Sequence, residues 1–129
     1  MHRFVSHTGE LQLELEAPTE AAVFEDAAGA LGELMDGGRG EAARRDLVLA
    51  GSDLGGLLVD WLNELVFLAE TEGFVPERAP DLLLADGSLR ATVEGRIATP
   101  APLVKAVTYH ELAFERRGGG WFARVVLDV

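Results

Sequence analysis

Polar residues able to do chemistry gather beside the apolar alternations of this chain. "HTGE" places His7, Thr8 and Glu10 immediately ahead of "LQLELEA". "YHE" places Tyr109, His110 and Glu111 within a strand-like stretch, and Asp128 closes "FARVVLDV" just before Val129. Oxygen donors such as Glu10, Asp128 and a main-chain oxygen at Val129 suit a hard cation, Ca²⁺, Mg²⁺ or Mn²⁺. Recruiting His7 or His110 would move the preference toward Mn²⁺ or Zn²⁺. Two plainer readings stay open from spacing alone. The histidines can be hydrogen-bonded structural groups, and the carboxylates can be solvated strand ends. Lys105 reads equally as a surface lysine.

Other chemistries are excluded or unsupported. The chain of 129 residues has no cysteine, which removes thiol nucleophiles, disulfides and thiolate metal sites. Phosphate-binding glycine loops, a nucleophile-elbow serine and a paired-histidine zinc motif are absent from the sequence. Twenty-two acidic residues against 11 basic ones give a formal charge of −11. Such a surface repels phosphate backbones, so no direct nucleic-acid binding is expected. It suits cations or a protein partner with a basic surface. The start "MHRFVSHTGE" lacks the apolar core of a signal peptide, and runs such as "LVFLA" are far too short to span a bilayer. The expectation is a cytoplasmic protein with no membrane partner.

The elements that must position these groups follow from periodicity. Leu11, Leu13 and Leu15 alternate with Gln12, Glu14 and Glu16, which predicts a half-buried strand over 11–17. Pro18 ends it, and Thr19 can cap a helix whose apolar positions fall at 24, 27, 28, 31, 34 and 35. Asp36 and "GGRG" (37–40) predict the stop of that helix. "RDLVLAGS" (45–52) reads as a short strand, and Asp53 as the cap of a second helix through Trp61 and Leu68 to near Gly73. Within that helix, "WLNEL" (61–65) places Asn63 and Glu64 on the wet face. "VPERAP" (75–80) reads as a connector because of its prolines. Strands are predicted over 81–85 and 89–97 around "DGS", and over 104–117 and 121–129 around "GGG". If that last hairpin closes at Gly118–Gly119, Tyr109 faces Asp128. A three-residue loop would bring His110 opposite it instead. The order β, α, β, α and then a run of strands predicts an α+β fold in two layers, one domain over 1–129.

In this order, the fragments resemble the archease family, protein cofactors of RtcB-type RNA ligases. The resemblance is carried by His7, Thr8 and Glu10, by "LGELMDG", by "WLNEL", by "VKAVTYH" (104–110) and by the closing "WFARVVLDV". It implies a mixed β-sheet with two main helices, a strand-helix-strand-strand (SHS2-like) unit and a C-terminal β-hairpin. It also implies a metal site of Glu10, Asp128 and Val129, and a functional surface of Lys105, His7, His110 and Asp36. By the same resemblance the protein is not an enzyme. Its partner is an RtcB-type RNA ligase, whose active-site histidine it helps to guanylylate and whose multiple turnover it sustains in tRNA splicing and RNA repair.

Three departures from the family pattern stand out. Glu10 occupies the position of the family's usual Asp, a longer arm that Ca²⁺ tolerates better than the strictly octahedral Mg²⁺. Asp36 sits slightly out of register, and the stretch before "VKAVTYH" is short. The expected cofactor is a divalent metal, Ca²⁺ before Mg²⁺ or Mn²⁺. The readings competing with a ligase activator are a metal-dependent phosphoester hydrolase and an acidic adaptor or chaperone-like module.

Overall fold

Among the described residues, eight strands and two helices follow one another. They are β1 (His2–His7), β2 (Glu10–Ala17), α1 (Glu20–Met35), β3 (Glu41–Ala50), α2 (Leu54–Glu72), β4 (Phe74–Arg78), β5 (Leu83–Ala85), β6 (Ser88–Ile97), β7 (Ala106–Arg117) and β8 (Gly120–Asp128). The computed structural model describes residues 1–35, 40–51, 53–99 and 104–129. The expected helix stop at Asp36 and Gly37 and most of the "TPAPL" loop lie outside the described residues, as does the His7 side chain.

The α+β class holds, but the strands do not form one mixed sheet. They form two sheets, β1-β2-β8-β7 and β3-β6-β4, with β5 added beside β6. Among the described residues every strand pairing is antiparallel. The reason lies in how the helical connections close. A strand-helix-strand unit would place β3 and β4 parallel and adjacent, but β6 inserts between them and pairs antiparallel with both. The succession β3-α2-β4-β6 is still a strand-helix-strand-strand unit, with β5 interposed.

Local chemistry accounts for the element ends. Thr19 Oγ1 accepts the Ala22 N–H at 3.1 Å at the start of α1. Asp53 Oδ1 accepts the Gly56 N–H at 2.7 Å at the start of α2. Gly73 closes α2 in the left-handed conformation, φ 69°, returning its N–H to carbonyls of the last turn. The final hairpin turns through Gly118 and Gly119, φ 57° and 86°, the double positive φ that a tight hairpin demands.

Two strands differ from the sequence reading. β1 was not anticipated, because "HRFVSH" has no run of large apolar residues; the Thr8–Gly9 turn folds it back onto β2. "VPERAP" begins as part of strand β4 rather than as a connector. β4 lies at a sheet edge, where Pro76 faces Gly95 and the register then shifts. A proline is tolerated at an edge or bulge because its missing N–H costs no ladder bond.

The core joins both sheets through the helices. Phe24 and Leu31 of α1, Leu58, Trp61, Leu62 and Leu65 of α2, Leu13 and Leu15 of β2, Phe74 of β4, Leu89 of β6 and Leu127 of β8 are all fully buried in one cluster. Trp61 Nε1 donates to the Phe24 carbonyl at 3.0 Å, linking α2 to α1. Gly32 lets α1 lie directly on β4: a Cβ there would sit 1.8 Å from the Pro76 carbonyl oxygen. No helix of the described residues is long and apolar enough to cross a membrane.

Candidate functional site

The alternation in β2 decides which face carries chemistry. Leu11, Leu13 and Leu15 pair with Leu127, Val125 and Ala123 of β8 and turn inward to the helices. Glu10, Gln12 and Glu14 therefore share the outer face with Asp128, Val126 and Arg124. Register then draws one row across the sheet. His7 pairs with Glu10, Glu10 with Asp128, and Asp128 with Ala106. Glu10 and Asp128, 118 residues apart in sequence, are directly opposite each other. Cross-strand neighbours of this kind have Cβ atoms about 4.5–5.5 Å apart.

Their electrostatic setting differs from that of the acids further along the same face. Glu14 accepts hydrogen bonds from Arg3 Nε at 3.0 Å and from Gln12 Nε2 at 2.8 Å. The bonded Arg3 guanidinium holds the Glu14 carboxyl below its usual range. Among the described residues, no lysine, arginine or histidine lies within ion-pairing distance of Glu10 or Asp128. Like charges directly opposite on a sheet repel, and a cation between them would offset that cost. Asp128 and Val129 are exposed and Glu10 is half-buried, so the donors are open to solvent. Hard carboxylate oxygens with a main-chain oxygen next to them match Ca²⁺ chemistry. Among the described residues no three side chains of His, Asp or Glu gather closely enough to form a metal cluster by themselves. A main-chain oxygen at Val129, next to Asp128, is a further donor of the kind a hard cation accepts.

Lys105 immediately precedes β7. Its N–H donates to the Asp128 carbonyl at 2.8 Å, and its side chain is exposed.

Tyr109 and His110 are not where hairpin counting put them. The hairpin does close at Gly118–Gly119, yet Asp128 faces Ala106 rather than Tyr109. Between the pairs Thr108–Val126 and Ala113–Arg124, five steps along β7 match two along β8. The surplus forms a bulge that carries Tyr109 to Leu112, with His110 and Glu111 between them, out of the ladder. Glu111 adopts φ 51°, rare for a residue with a side chain. Arg124 Nε holds the bulge by donating to the Glu111 carbonyl at 3.0 Å. His110 is exposed, and its N–H donates to Thr108 Oγ1 at 3.3 Å. It lies four positions along β7 from the residue that faces Asp128, so the structure does not bring it into the carboxylate row.

Tyr109 reaches instead to α2, its hydroxyl donating to Asp60 Oδ1 at 3.3 Å. The Asp60 charge is the main cause that raises the Tyr109 phenol above the usual tyrosine range of about 10, with desolvation and the hydrogen bond adding to it. Because the folded value is raised, this contact favours folding below the ordinary tyrosine pKa, and that contribution is lost as pH rises through the folded value. The chain has a single tyrosine, so phenolate absorbance reports this contact alone. A midpoint above the ordinary value is expected, falling in Asp60→Asn; equal midpoints would contradict the contact.

One contributor was missed from sequence. Asn63 of α2 does not sit idle on a wet face. Its Nδ2 donates to the Val107 carbonyl and its Oδ1 accepts the Val107 N–H, both at 2.9 Å. The only hint in sequence is a polar residue inside an otherwise apolar "WLNEL". Asp36 lies outside the described residues.

Comparison with known proteins gives a consistent result. The model of the archease protein family (MTH1598/TM1083) matches residues 2–129. The chain is 35% identical to the protein archease of Methanosarcina acetivorans, covering 99% of this chain and 95% of that one. It is 31% identical to the protein archease of Archaeoglobus fulgidus, covering 99% and 98%. The solution structure of Methanobacterium thermoautotrophicum protein 1598 superposes with a TM-score of 0.77 at 30% identity, over 99% of this chain and 98% of that one. A Thermotoga maritima crystal structure, titled an archease and possible chaperone, has a TM-score of 0.73 at 24% identity over 100% and 98%, and speaks to the fold.

Proposed function

The chain belongs to the archease family, and on that premise we propose that it is a non-catalytic, metal-binding activator of an RtcB-type RNA ligase in the cytoplasm. The activity is to promote guanylylation of the ligase's active-site histidine and so to sustain its turnover in tRNA splicing and RNA repair. The observation that carries the reading is the directly opposed pair of Glu10 and Asp128, with no side-chain cation beside it among the described residues.

Glu10, Asp128 and a main-chain oxygen of Val129 would hold the ion, with Ca²⁺ favoured by the longer glutamate arm. A divalent cation bound there supplies positive charge able to orient a nucleotide phosphate. Lys105, whose main-chain N–H is bonded to the Asp128 carbonyl, would add a second positive charge beside the site. The acidic remainder of the surface favours a protein partner with a basic face and opposes independent capture of RNA. An exposed row on a sheet face suits presentation of charge to another protein's pocket.

The test is multiple-turnover RNA joining by the ligase with substoichiometric amounts of this protein in Ca²⁺. Sustained turnover supports activation. A ligase that stops after one round, while still capturing this protein stably, would replace the proposal with a chaperone-like adaptor.

A further inference from the structure

Among the described residues β7 is the outermost strand of its sheet, so one row of its N–H and C=O groups faces no strand there. Unpaired edge groups leave a strand free to fray or to pair with another chain. At Val107 that edge is closed by a side chain. Asn63 donates to the Val107 carbonyl and accepts its N–H, both at 2.9 Å, the same two-bond exchange that a neighbouring strand residue would make. The Val107 side chain is buried, so the residue is anchored on two sides.

Val107 is two residues from Lys105, whose N–H binds the Asp128 carbonyl at 2.8 Å. Asn63 lies mid-way along α2, whose core face includes Trp61, Leu62 and Leu65. The segment Lys105–Val107 is thus held to the carboxylate row on one side and to a buried helix on the other. Beyond Val107 the chain enters the bulge, which contributes no ladder pairing from Tyr109 to Leu112. The Asn63 bonds therefore stand between the irregular stretch and Lys105.

From this geometry we infer that Asn63 is a positioning residue, acting as a one-residue surrogate strand that fixes Lys105 relative to the Glu10–Asp128 row. Its effect on activation rests on the proposed role of Lys105; its effect on the β7 edge does not.

The experiment has two arms. In the isolated protein, amide hydrogen exchange at Val107 is expected to quicken at least about tenfold in Asn63→Ala, with Leu13 and Val125 unchanged. In the ligase assay, Asn63→Ala and Lys105→Ala are each expected to lower activation about tenfold, and the double variant is expected to be no lower than Lys105→Ala alone. Ca²⁺ affinity should stay at the wild-type level, because Glu10 and Asp128 sit on β2 and β8, whereas the Asn63 side chain bonds to Val107 of β7. A general structural role would instead lower Ca²⁺ affinity and multiply the two losses, and that result overturns the inference. Should Asn63→Ala fail to fold, Asn63→Asp replaces it, keeping the acceptor for the Val107 N–H and removing the donor. If the wild-type protein does not accelerate the ligase, the functional proposal falls and the exchange arm alone decides on Asn63. Unchanged exchange at Val107 refutes it.

Discussion

Asp128→Ala is expected to lower Ca²⁺ affinity by more than about 100-fold and to abolish ligase activation, while leaving the fold intact. Removing a hydrogen-bond partner of a metal ligand already costs about 10–100-fold in affinity, so removing a ligand should cost more. The fold should survive because the Asp128 side chain is exposed and makes no ion pair among the described residues. The interaction that ties it to Lys105 uses the backbone carbonyl, which alanine retains. Relief of repulsion from Glu10 should make the metal-free variant as stable as wild type or slightly more so, within about 1 kcal/mol. Asp128→Asn separates charge from shape and is expected to lose most of the affinity too. Calorimetric Ca²⁺ titration and thermal melts in chelator measure both parts. A variant that binds Ca²⁺ as wild type does would remove Asp128 from the site.

The largest effect on stability is expected from Trp61→Ala, a loss of about 3–5 kcal/mol. Trp61 is fully buried, and its indole N–H is the polar link from α2 to the Phe24 carbonyl of α1. Phe24 in turn packs on Phe114 of β7, with ring centroids 5.7 Å apart, and Phe114 on Trp121 of β8 at 5.8 Å. Truncation therefore opens a cavity where both helices meet the sheet that carries the carboxylate row. Against a typical total of about 5–15 kcal/mol, such a loss leaves a small domain close to unfolding. Trp61→Phe keeps most of the volume and forfeits the hydrogen bond, so a smaller loss of about 1–2 kcal/mol is expected. Urea unfolding checks the order of the two variants. Equal losses would mean that volume at this position contributes little.

Much of the site was legible because its chemistry lies where patterns are strongest. Leucine and glutamate alternate so strictly in β2 that the outer face, with Glu10 at its head, follows from period two alone. Thr19 and Asp53 announced both helix starts, and Gly118–Gly119 announced the last turn. Pairing Glu10 with Asp128 was a different matter. Spacing cannot bring residue 10 to residue 128, and that contact came into view only through resemblance to the archeases.

What escaped the sequence escaped for physical reasons. Prolines in "VPERAP" argue against a strand only if every N–H is needed, and an edge strand such as β4 does not need them. Hairpin counting assumes an unbroken ladder, so it could not foresee the bulge that moves Asp128 from Tyr109 to Ala106. Asn63 was hidden because a polar residue on a helix ordinarily meets water. Here the bare edge of β7 gives it a backbone partner.

The most direct measurement is the rate at which the ligase's active-site histidine is guanylylated, in Ca²⁺, with and without this protein. Acceleration by the wild-type chain is expected, with none from Asp128→Ala and none from wild type in chelator under conditions where the ligase's basal rate persists. Guanylylation at the same rate in the presence and absence of the wild-type protein would contradict the proposal.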